Sequence, residues 1–213
     1  MYSLVIPKNS RSTQVFILSL LFYLFIYSSC QFAQEYQSRE GAFFEQSALQ
    51  QADSDSWTTI RSSYFTIYLE PEVNLKRVYS RINTRSFYTG AGHRVDSLAS
   101  VEEKIGYRMD VILERVKKVL DTYPAITNIK VKIFKNRKDL QDEYCRITMR
   151  RSPVRSFYVH QYNTIYTSEA DINDSVVAHE IGHAVVDHYF QAVPSEKMGE
   201  MLATYVDLHL DED

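Results

Sequence analysis

His179 and His183, with Glu180 beside the first of them, constrain the fold of this chain more than any other feature. On an α-helix the two histidines lie one turn apart, so their imidazoles project from the same face. Two imidazoles at this spacing supply two of the three protein ligands of a zinc ion, and the adjacent carboxylate can accept a proton from water. The motif therefore predicts a helix that carries part of a zinc site.

The flanking residues favour a buried helix at this point. Five apolar side chains give it a surface beside the histidine face: Ile172, Val176, Val177, Ala184 and Val185. Asn173 and Asp174, with Asp171 before them, are typical of a helix start. Pro194 cannot lie inside a helix, so we expect the helix to end near Phe190. The alternative is a helix whose two histidines bind no metal.

The third ligand is expected from the next helix. Apolar residues at helical spacing after Pro194 predict that this helix begins near Ser195. Glu200 lies one turn inside it, and because the helix can fold back against the first, Glu200 is the best candidate ligand. Glu196 is the second choice, since carboxylates are common at helix starts for reasons of the helix dipole.

The rest of the chain combines helical and strand patterns. Predicted strands cover residues 63–69, 129–134, 154–160 and 163–167, and predicted helices cover residues 75–82, 98–120 and 137–146. Ser100 and Glu103 form a capping-box pattern at the start of the longest helix. Residues 85–96 are expected to form a loop.

The last two predicted strands form a hairpin around Gln161 and Tyr162. The hairpin leads directly into the predicted zinc helix. An edge strand in this position can bind an extended peptide through backbone hydrogen bonds, because such an edge leaves donors and acceptors unpaired. The alternative is that the hairpin only completes the sheet.

The N-terminus has the pattern of an export signal. Lys8 and Arg11 precede an apolar run over residues 15–27. This run is shorter than the roughly 20 residues of a typical membrane-spanning helix. The residues around Cys30 loosely resemble a bacterial lipoprotein box, which leaves lipid attachment as an alternative.

These features divide the chain into three parts. Residues 1–33 are expected to be a signal peptide or an N-terminal membrane anchor, residues 34–56 a polar linker, and residues 57–213 one folded domain. We therefore expect an exported protein of the bacterial periplasm or cell envelope, with membrane attachment through the N-terminus as an option.

Composition limits the partners and the covalent chemistry. The net charge is −3, and the sequence shows no basic patch or nucleic-acid motif, so we expect no nucleic-acid partner. With Cys30 in the export segment, Cys145 is left alone, and no internal disulfide is expected in the exported domain.

Two segments resemble a known family. Val176-Val-Ala-His-Glu and His183-Ala-Val-Val-Asp are similar to the zinc helix of the thermolysin-like gluzincins, and Glu200-Met-Leu-Ala-Thr-Tyr is similar to the Glu-x-x-Ala-x-Tyr signature of the bacterial peptidase MA-like families. The resemblance implies an α+β, zincin-like fold. Such a fold has a small twisted sheet with an edge strand over the cleft, an active-site helix and a following helix that donates a glutamate.

The implied activity is that of an exported zinc metallopeptidase that hydrolyses peptide bonds in a peptide or protein substrate. Zn²⁺ would be held by His179, His183 and Glu200, and Glu180 would act as the general base. The alternative is a non-catalytic, zincin-like zinc-binding module of the cell envelope. In that module a side chain such as His160 or Tyr166 would fill the fourth position on the metal.

Supporting residues are less well defined by the resemblance. Asp187 matches an aspartate that follows the zinc helix in the family, or is a surface acid. Thr204 stands where the family has a further aspartate, and Asp207, on the same helix face as Glu200, is expected to replace it.

In the family, a later subdomain donates the oxyanion-stabilising group, and we expect no counterpart of that subdomain after Glu200. We therefore expect the group elsewhere in the chain. The candidates are Tyr166, His160 and Tyr205.

Overall fold

The computed structural model describes residues 57–84, 100–190 and 194–212. The predicted export segment at residues 1–33, the polar linker at 34–56 and the loop at 85–96 therefore lie outside the described residues. Within the described ranges, no helix is long and apolar enough to cross a membrane.

Strands and helices are interspersed along the described chain, which begins with two strands and ends with two helices. The strands are β1 (Thr58–Arg61), β2 (Phe65–Leu69), β3 (Ile129–Phe134), β4 (Ser156–Val159) and β5 (Thr164–Ser168). The helices are α1 (Leu75–Arg81), α2 (Val101–Leu120), α3 (Arg137–Thr148), α4 (Asp174–Tyr189) and α5 (Glu196–His209). The predicted α+β class is confirmed.

All five strands of the described ranges join one sheet in the order β1-β2-β3-β5-β4. The three central strands β2, β3 and β5 are parallel, whereas β1 and β4 lie antiparallel at the two edges. The edge strand beside the helix with His179 and His183 is therefore β4, the first strand of the predicted hairpin, and β5 is an interior strand.

The hairpin turn is longer than the two residues expected from the sequence. A 3₁₀ turn at His160–Tyr162 follows β4, and Asn163 closes it in the left-handed conformation with φ of 46°. The Asn163 backbone N–H donates to the His160 carbonyl at 3.0 Å. Asparagine tolerates this conformation better than most residues, which stabilises the wider turn.

Side chains alternate across β5 and divide the interior into two cores. Ile165 faces the larger core, which includes buried residues of α2 and α4. Tyr166 faces the opposite side of the sheet, where it packs with Phe134 and with Leu140 of α3. Because successive residues of a strand point to opposite faces, the helix with His179 and His183 lies on the Ile165 side.

Local hydrogen bonds determine several element boundaries. Ser100 caps α2 through the predicted capping box with Glu103, and Asn173 caps α4 by accepting from the Val176 backbone N–H. Strand β2 starts later than predicted, because the Ser62 hydroxyl and the Ser63 N–H bind Asp110 instead of continuing the ladder.

Helix α5 packs closely against α4. A Cβ atom added to Gly182 would lie 3.3 Å from the Ala203 Cα atom, so the two backbones approach each other where these small residues meet. At the far end of α5, the Arg115 guanidinium donates to the Leu210 carbonyl at 2.7 Å. These contacts fix the position of α5 relative to the helix that carries both histidines.

Candidate metal centre

Helix α4 presents His179 and His183 on one face, as their spacing predicts. Their ring centroids are 5.0 Å apart, and the ring planes meet at 76°. The two side chains are 24% and 18% exposed, respectively. Both imidazoles therefore reach a partly solvated space instead of the closed core.

Helix α5 brings Glu200 to the two imidazoles. One carboxylate oxygen lies 3.6 Å from His179 Nε2, and the other lies 3.5 Å from His183 Nε2. Among the described residues these three side chains form the group whose ligand atoms all lie within 4.8 Å of one another. Glu196, the alternative ligand, lines the same space but is not part of this group.

The spacing of these atoms is compatible with one metal ion between them. Ligands about 2.1 Å from a tetrahedral ion are separated from one another by about 3.4 Å. The two distances between imidazole nitrogen and carboxylate oxygen are close to that value. Two nitrogen donors and one oxygen donor also form a suitable set for Zn²⁺.

Asp207 contacts the outer nitrogen of His179. Its Oδ2 atom lies 3.0 Å from His179 Nδ1, and its Oδ1 atom accepts from the Ser175 hydroxyl. This hydrogen bond raises the pKa of His179 against the opposing effect of burial. With the Nδ1 proton directed at Asp207, the Nε2 lone pair of neutral His179 points towards Glu200.

His183 has the opposite electrostatic environment. Burial lowers its pKa, and the charge of His179 lowers it further. A lowered pKa favours the neutral imidazole at neutral pH, which is the form that can bind a metal ion.

Gly199 also lies in the cleft beside His183, although it belongs to none of the sequence motifs. A Cβ atom at this position would lie 3.3 Å from His183 Nδ1. Glycine inside a helix costs about 1 kcal/mol relative to alanine. A glycine directly before the candidate ligand Glu200 therefore indicates that another group packs closely against the helix at this point.

Glu180 is almost completely buried, at 4% exposure, beside the candidate ligands. The Ser156 hydroxyl of β4 donates to its Oε1 atom at 2.6 Å. Burial raises the pKa of Glu180 to about 7, although the Ser156 hydrogen bond and the charge of His179 act against this increase. A carboxyl group with such a pKa can both accept and release a proton near neutral pH.

A cleft of about 930 Å³ contains the candidate ligands and Glu180. Strand β4 forms one wall, and α4 with the start of α5 forms the other. Its lining includes, besides the candidate ligands and Glu180, residues 154–161, Asp187, Glu196 and Gly199. Cavities of this size accommodate small ligands or short peptide segments.

Asp187 connects α4 to the hairpin. It accepts a hydrogen bond from the Tyr158 hydroxyl at 3.0 Å and pairs with His160 Nδ1. Burial and the nearby Asp187 charge raise the pKa of Tyr158, so this phenol stays protonated. Among the described residues, the hydrogen bonds of Asp187 thus go to the hairpin, although the resemblance suggested a role beside the zinc histidines.

The three oxyanion candidates lie in different environments. His160 lines the cleft, at the end of β4. Tyr166 is fully buried on the opposite face of the sheet, stacked on Phe157 with 4.7 Å between ring centroids. Tyr205 is exposed and stacks on His209. The alternation of β5 places Tyr166 away from the cleft, and Tyr205 is not among the residues that line it.

No protein-family model matches the chain, and neither a curated protein nor a solved structure matches it at a significant level. The fold defines the general α+β class, and the site defines a candidate metal centre in a cleft beside an edge strand. The geometry of this candidate centre is therefore the main indication of function.

Proposed function

We propose that this protein is a zinc-dependent metallopeptidase of the gluzincin type, with a zincin-like fold. The observation that carries the proposal is the convergence of His179 Nε2, His183 Nε2 and the Glu200 carboxylate. Buried Glu180 lies in the same cleft. Zinc would be held by the two imidazoles and the glutamate, which is a common donor set of catalytic zinc sites.

A bound zinc ion would polarise a peptide carbonyl and lower the pKa of a water molecule. Glu180 would accept a proton from this water and deliver it to the amine that leaves. The Ser156 hydroxyl orients the Glu180 carboxyl group by donating to Oε1. Asp207 holds the His179 ring with Nε2 towards Glu200.

The position of β4 supports a peptide as the substrate. Among the strands that the structure describes, β4 pairs with β5 alone, and all of its residues line the cleft. Its second side therefore offers backbone donors and acceptors to an extended chain beside the candidate metal centre. The N-terminal export pattern supports the bacterial periplasm or cell envelope as the proposed location.

His160 is the favoured source of oxyanion stabilisation, because it is the candidate of the three that lines the cleft. Its pairing with Asp187 orients the ring. An imidazole held in this way can donate a hydrogen bond to the charge that develops on a substrate oxygen.

Metal analysis combined with a Glu180→Gln variant tests the proposal. We expect about one zinc per chain in both proteins, and a fall in peptide hydrolysis of at least about a hundredfold in the variant. Glu196→Gln is the matched control, because Glu196 also lines the cleft but lies outside the ligand group; it should keep both zinc and activity. Absence of zinc, or full zinc loading without turnover of any peptide in a library, would contradict the proposal.

A further inference from the structure

A second cavity opens beside the start of β4. It has a volume of about 520 Å³. Three arginines line it: Arg137 of α3, and Arg151 and Arg155 from the segment that precedes β4. No acidic residue is among its lining residues, all of which lie in the described ranges. We call this space the arginine pocket.

The arginine pocket adjoins the candidate metal cleft. Val154 and Arg155 line both spaces. Arg155 directly precedes Ser156, whose hydroxyl binds Glu180. Because a strand rises about 3.3 Å per residue, the pocket begins within a few residues of the proposed catalytic centre.

A buried carboxylate holds two of the arginines. Asp171, whose side chain is fully buried, accepts from Arg137 Nε at 2.8 Å and Nη2 at 2.6 Å, and from Arg155 Nε at 3.4 Å. Arg151 forms none of the hydrogen bonds or ion pairs found among the described residues. One carboxylate thus faces two guanidinium groups, and the pocket with its third arginine keeps an excess of positive charge.

The arrangement is suited to a second carboxylate. A guanidinium group has five N–H donors in a planar fork, and Asp171 uses only two of those of Arg137. The fork matches the two oxygens of a carboxylate, and the charge makes these hydrogen bonds stronger than neutral ones. This cluster could not be predicted from the sequence, because Arg137 lies on a different element from the other two arginines.

We infer that the arginine pocket binds a carboxylate of the peptide that occupies the metal cleft. This inference rests on the proposed function, since it assigns a substrate preference to the same site. The carboxylate is either an aspartate or glutamate side chain within a few residues of the cleaved bond, or a free C-terminus. A peptide with such a group is bound more tightly than its neutral counterpart.

Peptide binding to the zinc-loaded, full-length Glu180→Gln protein tests the inference without turnover. Fluorescently labelled peptides, identical except for glutamate or glutamine at one scanned position, are compared by anisotropy. A second series compares free with amidated C-termini, which separates the two sources of the carboxylate. We expect about tenfold tighter binding of the acidic member at one position or one terminus at low salt, and a smaller difference at high salt.

Two arginine variants provide the decisive comparison. In the Arg151→Gln/Arg155→Gln protein, the tighter binding of the acidic peptide should fall from about tenfold to about twofold or less. In Arg151→Gln alone, it should fall from about tenfold to about threefold. Arg150→Gln is the matched control, because Arg150 is an exposed neighbour that does not line the pocket; it should keep the preference. Thermal unfolding verifies that the variants retain the fold.

The outcomes test the carboxylate-binding inference and the proposed peptidase activity separately. An acidic preference that persists in the double variant, or no acidic preference at any position or terminus, overturns the inference. If neutral peptides are still cleaved in that case, the proposed peptidase stands. If the wild-type chain cleaves nothing but shows the arginine-dependent preference, the pocket stands and the proposed catalysis fails.

Discussion

Gly199 sets the distance between helix α5 and the imidazole of His183. Its missing side chain leaves the space in which the ring lies, so the helix that carries Glu200 can approach α4 closely. A larger residue beside the candidate ligand Glu200 would therefore press on the His183 ring.

Replacing Gly199 with alanine should weaken zinc binding without destabilising the helix. The new Cβ atom would lie 3.3 Å from His183 Nδ1, so the ring or α5 must move by a few tenths of an ångström. We expect zinc affinity to fall about tenfold, by analogy with the loss of groups that orient ligands. The melting temperature of the metal-free protein should stay equal or rise, because alanine is the better helix former by about 1 kcal/mol.

Competition titration with a zinc chelator and thermal unfolding measure these two effects separately. Thr204→Ala is the matched control, since Thr204 is an exposed residue of the same helix. Unchanged zinc affinity in Gly199→Ala would show that the close contact has no role in metal binding.

His160 distinguishes the proposed peptidase from a non-catalytic zinc module. If His160 stabilises an oxyanion, His160→Ala should retain zinc and lower kcat about a hundredfold. Gln161→Ala is the control, because Gln161 is the neighbouring residue in the cleft wall. Loss of zinc from His160→Ala would instead indicate that this imidazole fills the fourth position on the metal.

The elements show what the sequence could predict and what it could not. The starts of α2, α4 and α5 were predictable, because Ser100, Asn173 and Ser195 are cap residues that act within a few positions. Strand β1 was missed, since only Ile60 of its four residues is buried and no alternation is visible.

Contacts between distant elements were the unpredictable part of the site. The spacing of Asp207 from Glu200 along one helix suggested a shared face, and the structure brings Asp207 to His179. In contrast, the Ser156 contact with Glu180 joins residues of different elements and leaves no periodic pattern in the sequence. Alternation along β5 puts Tyr166 and Ile165 on opposite faces, but the sequence does not show which of these faces α4 covers.

Asp171, which lies between β5 and α4, is expected to stabilise the fold mainly above acidic pH. Its pKa is lowered, chiefly by the hydrogen bonds from Arg137. Asp171→Asn should therefore lower the free energy of unfolding at pH 7 by about 2 kcal/mol. Because the folded-state pKa lies below the unfolded value of about 3.9, this contribution is fully present above about pH 5 and disappears as the pH falls through the folded-state value.

Urea unfolding at several pH values tests this expectation. The difference between wild type and Asp171→Asn should be constant from pH 7 to about 5 and shrink at lower pH. Asp142→Asn is the control: its ion pair with Lys138 is exposed, so it should change stability by less than about 1 kcal/mol. A difference that does not depend on pH would assign the effect of Asp171 to packing.

At the scale of the described domain, the candidate metal centre lies beside the main core and not within it. The core residues of α2 and of the central strands are buried without any contribution from the candidate ligands. Helix α5 contributes few buried side chains, with Ala203 and Val206 the ones within the helix. The hydrophobic core thus stabilises most of the domain, and α5 is joined to it by the close approach of Ala203 to Gly182 and by the Arg115 hydrogen bond to Leu210.

If zinc is bound as proposed, it links α5 to α4 through Glu200, so its removal should loosen α5 before it unfolds the domain. Hydrogen exchange measured with and without a chelator should show a loss of protection in α5, while α2 and β3 keep theirs. The melting temperature should fall by several degrees, because a ligand bound only to the folded state stabilises it. Complete unfolding on chelation, or equal protection of α5 with and without the chelator, would contradict this expectation.

The shortness of β4 affects how the protein behaves towards other copies of itself. An exposed edge strand is a template for the growth of a sheet from one molecule to the next. β4 has four residues, and the 3₁₀ turn at His160–Tyr162 ends it. In an antiparallel ladder only about two of those residues direct their backbone groups outwards. The edge can thus hold a short segment briefly, yet it offers too few bonds to start an aggregate.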